Sequence, residues 1–248
     1  MFPATHCVFI DNPPMFLFLT GNVPTVGPEE SLRMSHELPR GRHNLPREVV
    51  IRSQRERMID GVIEVVAEKG YAATTVADVI KKAAVSRKTF YEHFADKEEC
   101  FIAAYDEITR QLVAQVRAAY EEAGPWRERM AAGVRTLLEL LASRPALARF
   151  CVIEILAAGP RAIARRDEVL SGFTEFIAPG RGDAPAGVRI PEFTAQAVIG
   201  AVYSLIYDEI FHGRVRELPE KAPEFVYVTL APYVGPRAAA RVARLEEE

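Results

Sequence analysis

Between Thr75 and Phe94 the chain sets two short helices almost end to end, and this is the tightest constraint in the sequence. Thr75-Val76-Ala77-Asp78 is a capping box with Asp in the Glu/Gln role. It opens a short helix with Val76, Val79, Ile80 and Ala83 turned inward. Ser86 caps a second helix in which Phe90 and Phe94 stand one turn apart on one face. Upstream, Ile59, Val62, Ile63, Val66 and Ala67 recur at helical spacing and form an apolar stripe. That helix should end near Lys69-Gly70, with Gly supplying a left-handed C-cap.

Three helices in this order, the last two joined by a turn of about two residues, make the unit that places a helix in the DNA major groove. Such a helix must bury its anchors while its first turn and outer face stay polar and basic. Phe90 and Phe94 serve as anchors, and Arg87, Lys88, Thr89, Tyr91 and His93 face outward. Arginine suits bidentate contact with guanine, while Tyr91 and His93 can donate to phosphates. Thr75 stands at a helix N-terminus, which favours a phosphate, and Lys97 is placed similarly on the next helix.

The charge is distributed to match. From Arg40 to Lys97 twelve Lys and Arg face eight Asp and Glu, although the whole chain carries −3. A basic module on an acidic body is the asymmetry expected when one part meets phosphate. The three cysteines, Cys7, Cys100 and Cys151, form no CxxC pair, and the five histidines never fall at metal-ligand spacing. No metal, no cofactor and a reducing cytoplasm are expected. GxSxG, P-loop and HExxH signatures are missing, so catalysis is not expected. No stretch approaches the roughly 18–20 apolar residues of a membrane span.

The expected organisation is all-α. Residues 1–46 form a leader and basic arm; the proline-broken start lacks the basic opening of a secretory signal, and Met34 is a candidate natural start. Residues 47–95 form the helix-turn-helix domain and 96–248 a larger helical body. Asp96-Lys97-Glu98-Glu99 caps a long helix running to about Glu122, stopped by Gly124-Pro125. Further helices are expected at about Trp126–Ser143, Ala146–Ala158, Arg161–Ile177, Glu192–Phe211 and Glu224–Val234, with a polar tail from Arg237.

The run from Arg57 through Leu112 resembles the DNA-binding domain of the TetR/AcrR family of transcriptional regulators. The resemblance is carried by Glu68-Lys69-Gly70-Tyr71, the segment Thr74–Ile80, the segment Ala84–Phe94 and Asp96-Lys97-Glu98, in that order and spacing. It implies a DNA-facing set of Thr75, Ser86, Arg87, Lys88, Thr89, Tyr91, His93 and Lys97, to which the basic position Arg55 is added. Ala84 departs from the family, which usually carries Gly in this turn; alanine there costs little unless the backbone is left-handed. Phe90 also departs, since Leu or Ile is more usual.

The resemblance further implies a ligand cavity in the body, for which Tyr105, Trp126, Met130, Phe150, Glu154, Phe173, Phe176, Tyr203 and Tyr207 are the candidate lining residues. An aromatic-rich cavity suits a small, mainly apolar effector. Glu154 lies in an apolar run and needs a partner, for which Arg149 or a cationic ligand would serve. Two DNA-reading heads on a palindromic double-stranded operator imply a homodimer. Its interface is expected on the last two long helices, around Phe193, Ala197, Val198, Gly200, Ala201, Val202, Leu205 and Ile206, then Phe225, Val226, Val228 and Leu230, although a plain core would explain about half of these. The expected function is repression relieved by the effector; activation, or a partner-binding adaptor without operator specificity, are the alternatives.

Overall fold

A computed structural model describes residues 46–245, so nearly all of the expected leader and arm lies outside the described residues. Among the described residues every regular element is helical.

Helix α1 (Arg47–Ala73) buries Met58, Ile59, Val62, Val65 and Val66. The stripe is shifted from its expected position: Ala67 is exposed and Ile63 only half-buried, while Met58 and Val65 turn inward. Gly70 has φ 76° and ψ 161°. The positive φ needs glycine, but the extended ψ is not the left-handed C-cap expected, and the chain kinks there before one more turn to Ala73.

Helix α2 (Val76–Ala83) opens with both halves of its capping box. Thr75 N–H donates to Asp78 Oδ2 at 2.9 Å, and Asp78 N–H to Thr75 Oγ1 at 3.3 Å. Helix α3 (Arg87–His93) begins at Ser86, whose Oγ accepts the Thr89 N–H at 3.0 Å. The turn between them passes through Ala84 at φ 51°, ψ 45°. Its backbone is therefore left-handed, and alanine is strained at the position where the family usually has glycine. Arg57 compensates in part by donating to the Ala83 carbonyl at 2.9 Å.

Helix α4 (Lys97–Glu122) is capped by Asp96, which accepts the Glu99 N–H at 2.8 Å. Helix α5 (Trp126–Ser143) follows as expected. The helix expected over 146–158 is three pieces in one run: α6 (Pro145–Arg149), a π-helical turn (Phe150–Glu154) and α7 (Ile155–Ala157). Similarly, α8 (Pro160–Gly172) and α9 (Thr174–Ile177) replace one expected helix, and a 3-10 turn (Ala178–Asp183) opens the loop that follows. The fold closes with α10 (Thr194–Phe211), α11 (Ala222–Val234) and α12 (Pro236–Ala243). The last was expected as a polar tail; instead Ala239 and Ala243 are buried where α12 packs on α11.

One hydrophobic core runs from Met58 to Ala243. It crosses from α1 to the π turn through stacked aromatics: the Tyr71 ring meets Phe101 edge-on at 5.0 Å, and Phe101 stacks on Phe150 at 4.2 Å. Polar contacts pin α8 to α4. Glu98 Oε1 accepts the backbone N–H of Arg161 at 3.0 Å, and the Arg161 guanidinium donates to Asp96 Oδ2 at 2.6 Å and Glu98 Oε2 at 2.9 Å. Among the described residues no helix is long and apolar enough to cross a membrane.

Candidate DNA interface and effector cavity

The outer face of α3 carries Arg87, Lys88 and Tyr91, all exposed, above the buried Phe90 and Phe94. The guanidinium of Arg87 lies 5.7 Å from the Tyr91 ring centroid, so a cation and a hydrogen-bonding phenol project together. Lys88 is held only by a long, exposed contact to Glu92 at 3.8 Å. Ser86 and Thr89 are partly committed to the turn, their hydroxyls 2.8 Å apart. Arg55 is exposed on α1, 5.4 Å over the Phe94 ring. His93 is half-buried, with Nε2 3.5 Å from Gln54 Oε1. Burial, and then the charge of Arg55, lowers its pKa below the usual 6.5.

Lys97 opens α4 as expected, with its ammonium turned onto the end of α1. Its ammonium donates to the carbonyls of Tyr71 at 2.9 Å and Thr74 at 2.8 Å, and sits 3.9 Å from the Tyr71 ring centroid. Those acceptors hold it inward, where it fastens the end of α1 to α4.

A partly open cavity of about 140 Å³ lies in the body between α4, α5, the π turn, α8, α9, α10 and α11. Of the nine candidate lining residues, Tyr105, Met130, Phe173, Phe176 and Tyr203 reach it. The other four are spent elsewhere. Trp126 packs edge-on against Tyr233 and donates Nε1–H to the Phe176 carbonyl at 2.9 Å. Phe150 stacks on Phe101, and Tyr207 stacks on Phe211 at 5.7 Å. Glu154 is buried, but its carboxylate turns toward α1: Oε2 accepts the Tyr71 N–H at 2.8 Å and Oε1 accepts from Arg149 Nε at 3.1 Å.

Sequence reasoning missed most of the aliphatic wall, including Leu112, Val116, Leu137, Leu141, Val169 and Val202, and also Cys151 and Val152 of the π turn. Helical spacing shows these residues as inward-facing but does not separate a cavity wall from solid core. Among the described residues no charged side chain lines the cavity. Among the described residues no group of three or more His, Cys, Asp or Glu is arranged to hold a metal ion.

Residues 59–104 match the family profile described as bacterial regulatory proteins, tetR family. Over these residues the chain carries the DNA-binding domain of the tetR family. The chain is 26% identical over 121 residues to the fatty acid metabolism regulator protein of Bacillus subtilis, covering 49% of its own length and 62% of that relative. It is 28% identical over 99 residues to the HTH-type transcriptional activator FasR of Mycolicibacterium smegmatis, covering 40% of its own length and 43% of that relative. The chain therefore aligns with less than two thirds of either regulator. Its fold is that of the transcriptional regulator FadR from Bacillus subtilis, solved in complex with stearoyl-CoA. The TM-score is 0.60 at 20% identity, over 73% of this chain and 98% of that one.

Proposed function

We propose that this chain is a cytoplasmic, homodimeric transcriptional repressor that leaves a palindromic operator when an apolar acyl compound enters the body cavity. Residues 47–95 are the DNA-reading head, and 96–248 the effector and dimerisation body. The observation that carries the reading is the placement of the π turn between the two. Cys151 and Val152 line the cavity, while Glu154, in the same turn, holds the Tyr71 N–H at the end of the first head helix.

A cavity of about 140 Å³ matches those that hold one small ring in other proteins. A long acyl chain exceeds this volume, and where it parts the walls, a displaced π turn pulls on the head. The relative named for fatty acid metabolism and the neighbour bound to stearoyl-CoA support an acyl effector. Coupling of this kind typically shifts affinity by about 1–3 kcal/mol.

Dimerisation through α10 is supported by its exposed face, where Phe193, Ala197, Gly200, Ala201 and Leu205 form an apolar stripe with small residues at its centre. Of the other expected interface residues, Val198, Ile206, Phe225, Val226 and Leu230 are buried within the protomer, and Val202 and Val228 are half-buried. Activation is the second reading, favoured by the relative named as an activator.

The test is selection of bound duplexes from a random DNA pool, repeated with stearoyl-CoA present. A palindromic site, lost in Arg87→Ala/Lys88→Ala and released by stearoyl-CoA, is the expected result. No recovered site at low or moderate salt would overturn operator binding and favour the adaptor role.

A further inference from the structure

The end of α2 closes as a Schellman motif. Val85 N–H donates to the Ile80 carbonyl at 3.1 Å, and Ala84 N–H to that of Lys81 at 3.4 Å. The motif needs a left-handed residue at Ala84, a conformation that strains alanine and not glycine. Among the described residues only Ala84 and Arg244 reach positive φ without being glycine, and Arg244 ends the last helix. The strained residue of the head therefore stands three positions before Arg87, at the reading end of α3.

What holds this turn comes from α1. A Cβ on Gly61 would stand 3.3 Å from the Val79 carbonyl oxygen and 3.4 Å from the Ala83 nitrogen, so α1 lies close against the end of α2. One turn earlier on α1, half-buried Arg57 donates from Nη1 to the Ala83 carbonyl at 2.9 Å, with the Ala84 carbonyl at 3.4 Å. The guanidinium thus meets carbonyls that a helix leaves unbonded at its C-terminus, where the dipole favours a cation. The Schellman bonds are local, whereas Arg57 ties the turn to another helix. The far end of α3 is held to α1 separately: Arg55 lies 5.4 Å over the Phe94 ring, and His93 Nε2 is 3.5 Å from Gln54 Oε1. Arg57 acts at the end that carries Arg87 and Lys88.

We propose that Arg57 is a positioning residue for base recognition: it holds the strained Ala84 turn, and through it the angle at which Arg87 and Lys88 meet the bases, without touching DNA itself. The inference rests on the DNA-reading head proposed above. Base readout depends on side-chain direction and phosphate attraction much less so, and a relaxed turn therefore loses specificity before it loses affinity for DNA in general. Glycine enters the left-handed region without strain, so Ala84→Gly removes the need for the clamp.

The test is a competition assay with the full chain, using a duplex recovered by selection and a scrambled duplex of the same composition. It compares the wild type, Arg57→Met, Ala84→Gly and Arg57→Met/Ala84→Gly. Arg57→Met should lower the preference for the selected duplex by at least about fivefold, with the scrambled duplex and the salt slope unaffected. Ala84→Gly alone should keep the wild-type preference. The double variant should recover it to within about twofold, a coupling that a guanidinium acting directly on DNA would not show. An unaltered preference in Arg57→Met, or a loss that persists in the double variant, overturns the inference. So does a salt slope reduced by about one unit, which makes Arg57 a phosphate contact instead. If Arg57→Met unfolds at the assay temperature, the double variant decides alone: a wild-type preference supports the clamp and a reduced one overturns it. If the wild type prefers no duplex, the DNA-reading head fails and this inference fails with it.

Discussion

The carboxylate of Glu154 accepts the backbone N–H of Tyr71 at 2.8 Å, joining positions 83 residues apart in the chain. On the other side of the same residue, the Tyr71 carbonyl accepts from Lys97 at 2.9 Å. The last turn of α1 is thus gripped from the π turn through its donor and from α4 through its acceptor. Gly70 makes room for the grip, since a Cβ there would stand 3.3 Å from Glu154 Oε2.

Glu154→Ala should therefore lower the unfolding free energy by about 1–3 kcal/mol, because the Tyr71 N–H is left buried without a partner. Glu154→Gln should lose less, since an amide oxygen can still accept that N–H while the charge on Arg149 goes unanswered. Urea titration at neutral pH measures both. In operator-binding assays Glu154→Ala should also narrow the difference in DNA affinity with and without stearoyl-CoA. An unchanged difference would remove the π turn from the coupling.

Lys97 and Lys88 should behave as opposites. Lys97→Met removes charge-assisted hydrogen bonds to two carbonyls and should cost about 1.5–3 kcal/mol of stability. It should leave the salt dependence of DNA binding unaltered. Lys88→Ala should cost little stability, its contact with Glu92 being long and exposed, and should reduce the salt slope by about one unit. Denaturation paired with binding isotherms at several salt concentrations tests both halves.

The head was legible because its signals are local. Capping by Thr75, Ser86 and Asp96, and anchoring by Phe90 and Phe94, depend on residues a turn apart, and the structure places each as its spacing implies. The body was legible only as helices. Whether Trp126 faces the cavity or the 3-10 turn, and whether Glu154 meets a ligand or a peptide N–H, is decided by residues 50 or more positions away. Aromatic character was also a poor guide to the cavity. Phe150 was needed to stack on Phe101, and valines and leucines supply much of the wall. Lys97 shows the same limit: its N-terminal position on a helix does not reveal that the Tyr71 and Thr74 carbonyls accept from its ammonium.

Ala84→Gly should stabilise the protein by about 0.5–1 kcal/mol. Glycine removes the left-handed penalty, and its greater freedom in the unfolded chain returns part of that gain. The urea midpoint should rise with the slope unchanged, which marks a change in stability rather than in compactness.

Gly180→Ala should be destabilising by about 1–3 kcal/mol. A Cβ on Gly180 would fall 2.2 Å from Trp126 Cζ2 and Cη2, inside any van der Waals contact, so the 3-10 turn or the indole has to shift. The chain has one tryptophan, so its fluorescence reports this site alone. The variant should show an altered Trp126 emission in the native state, as the Nε1–H bond to the Phe176 carbonyl is disturbed.

His93 should make stability fall on mild acidification. Burial and then Arg55 hold its folded pKa below the usual 6.5, so below about pH 6.5 the unfolded chain takes up this proton more readily than the folded one. Stability therefore rises with pH across that window. Its contribution is lost progressively as pH drops from about 6.5 through the lower folded value. His93→Gln cannot titrate and should flatten this part of the profile while leaving the more acidic carboxylate region in place. Unfolding free energies at intervals from pH 8 to pH 5, in the wild type and His93→Gln, would show the two curves converging in shape above about pH 7 and separating below it. Parallel curves throughout would mean that the imidazole has the same proton affinity folded and unfolded, and that its contact with Gln54 neither buries nor orders it.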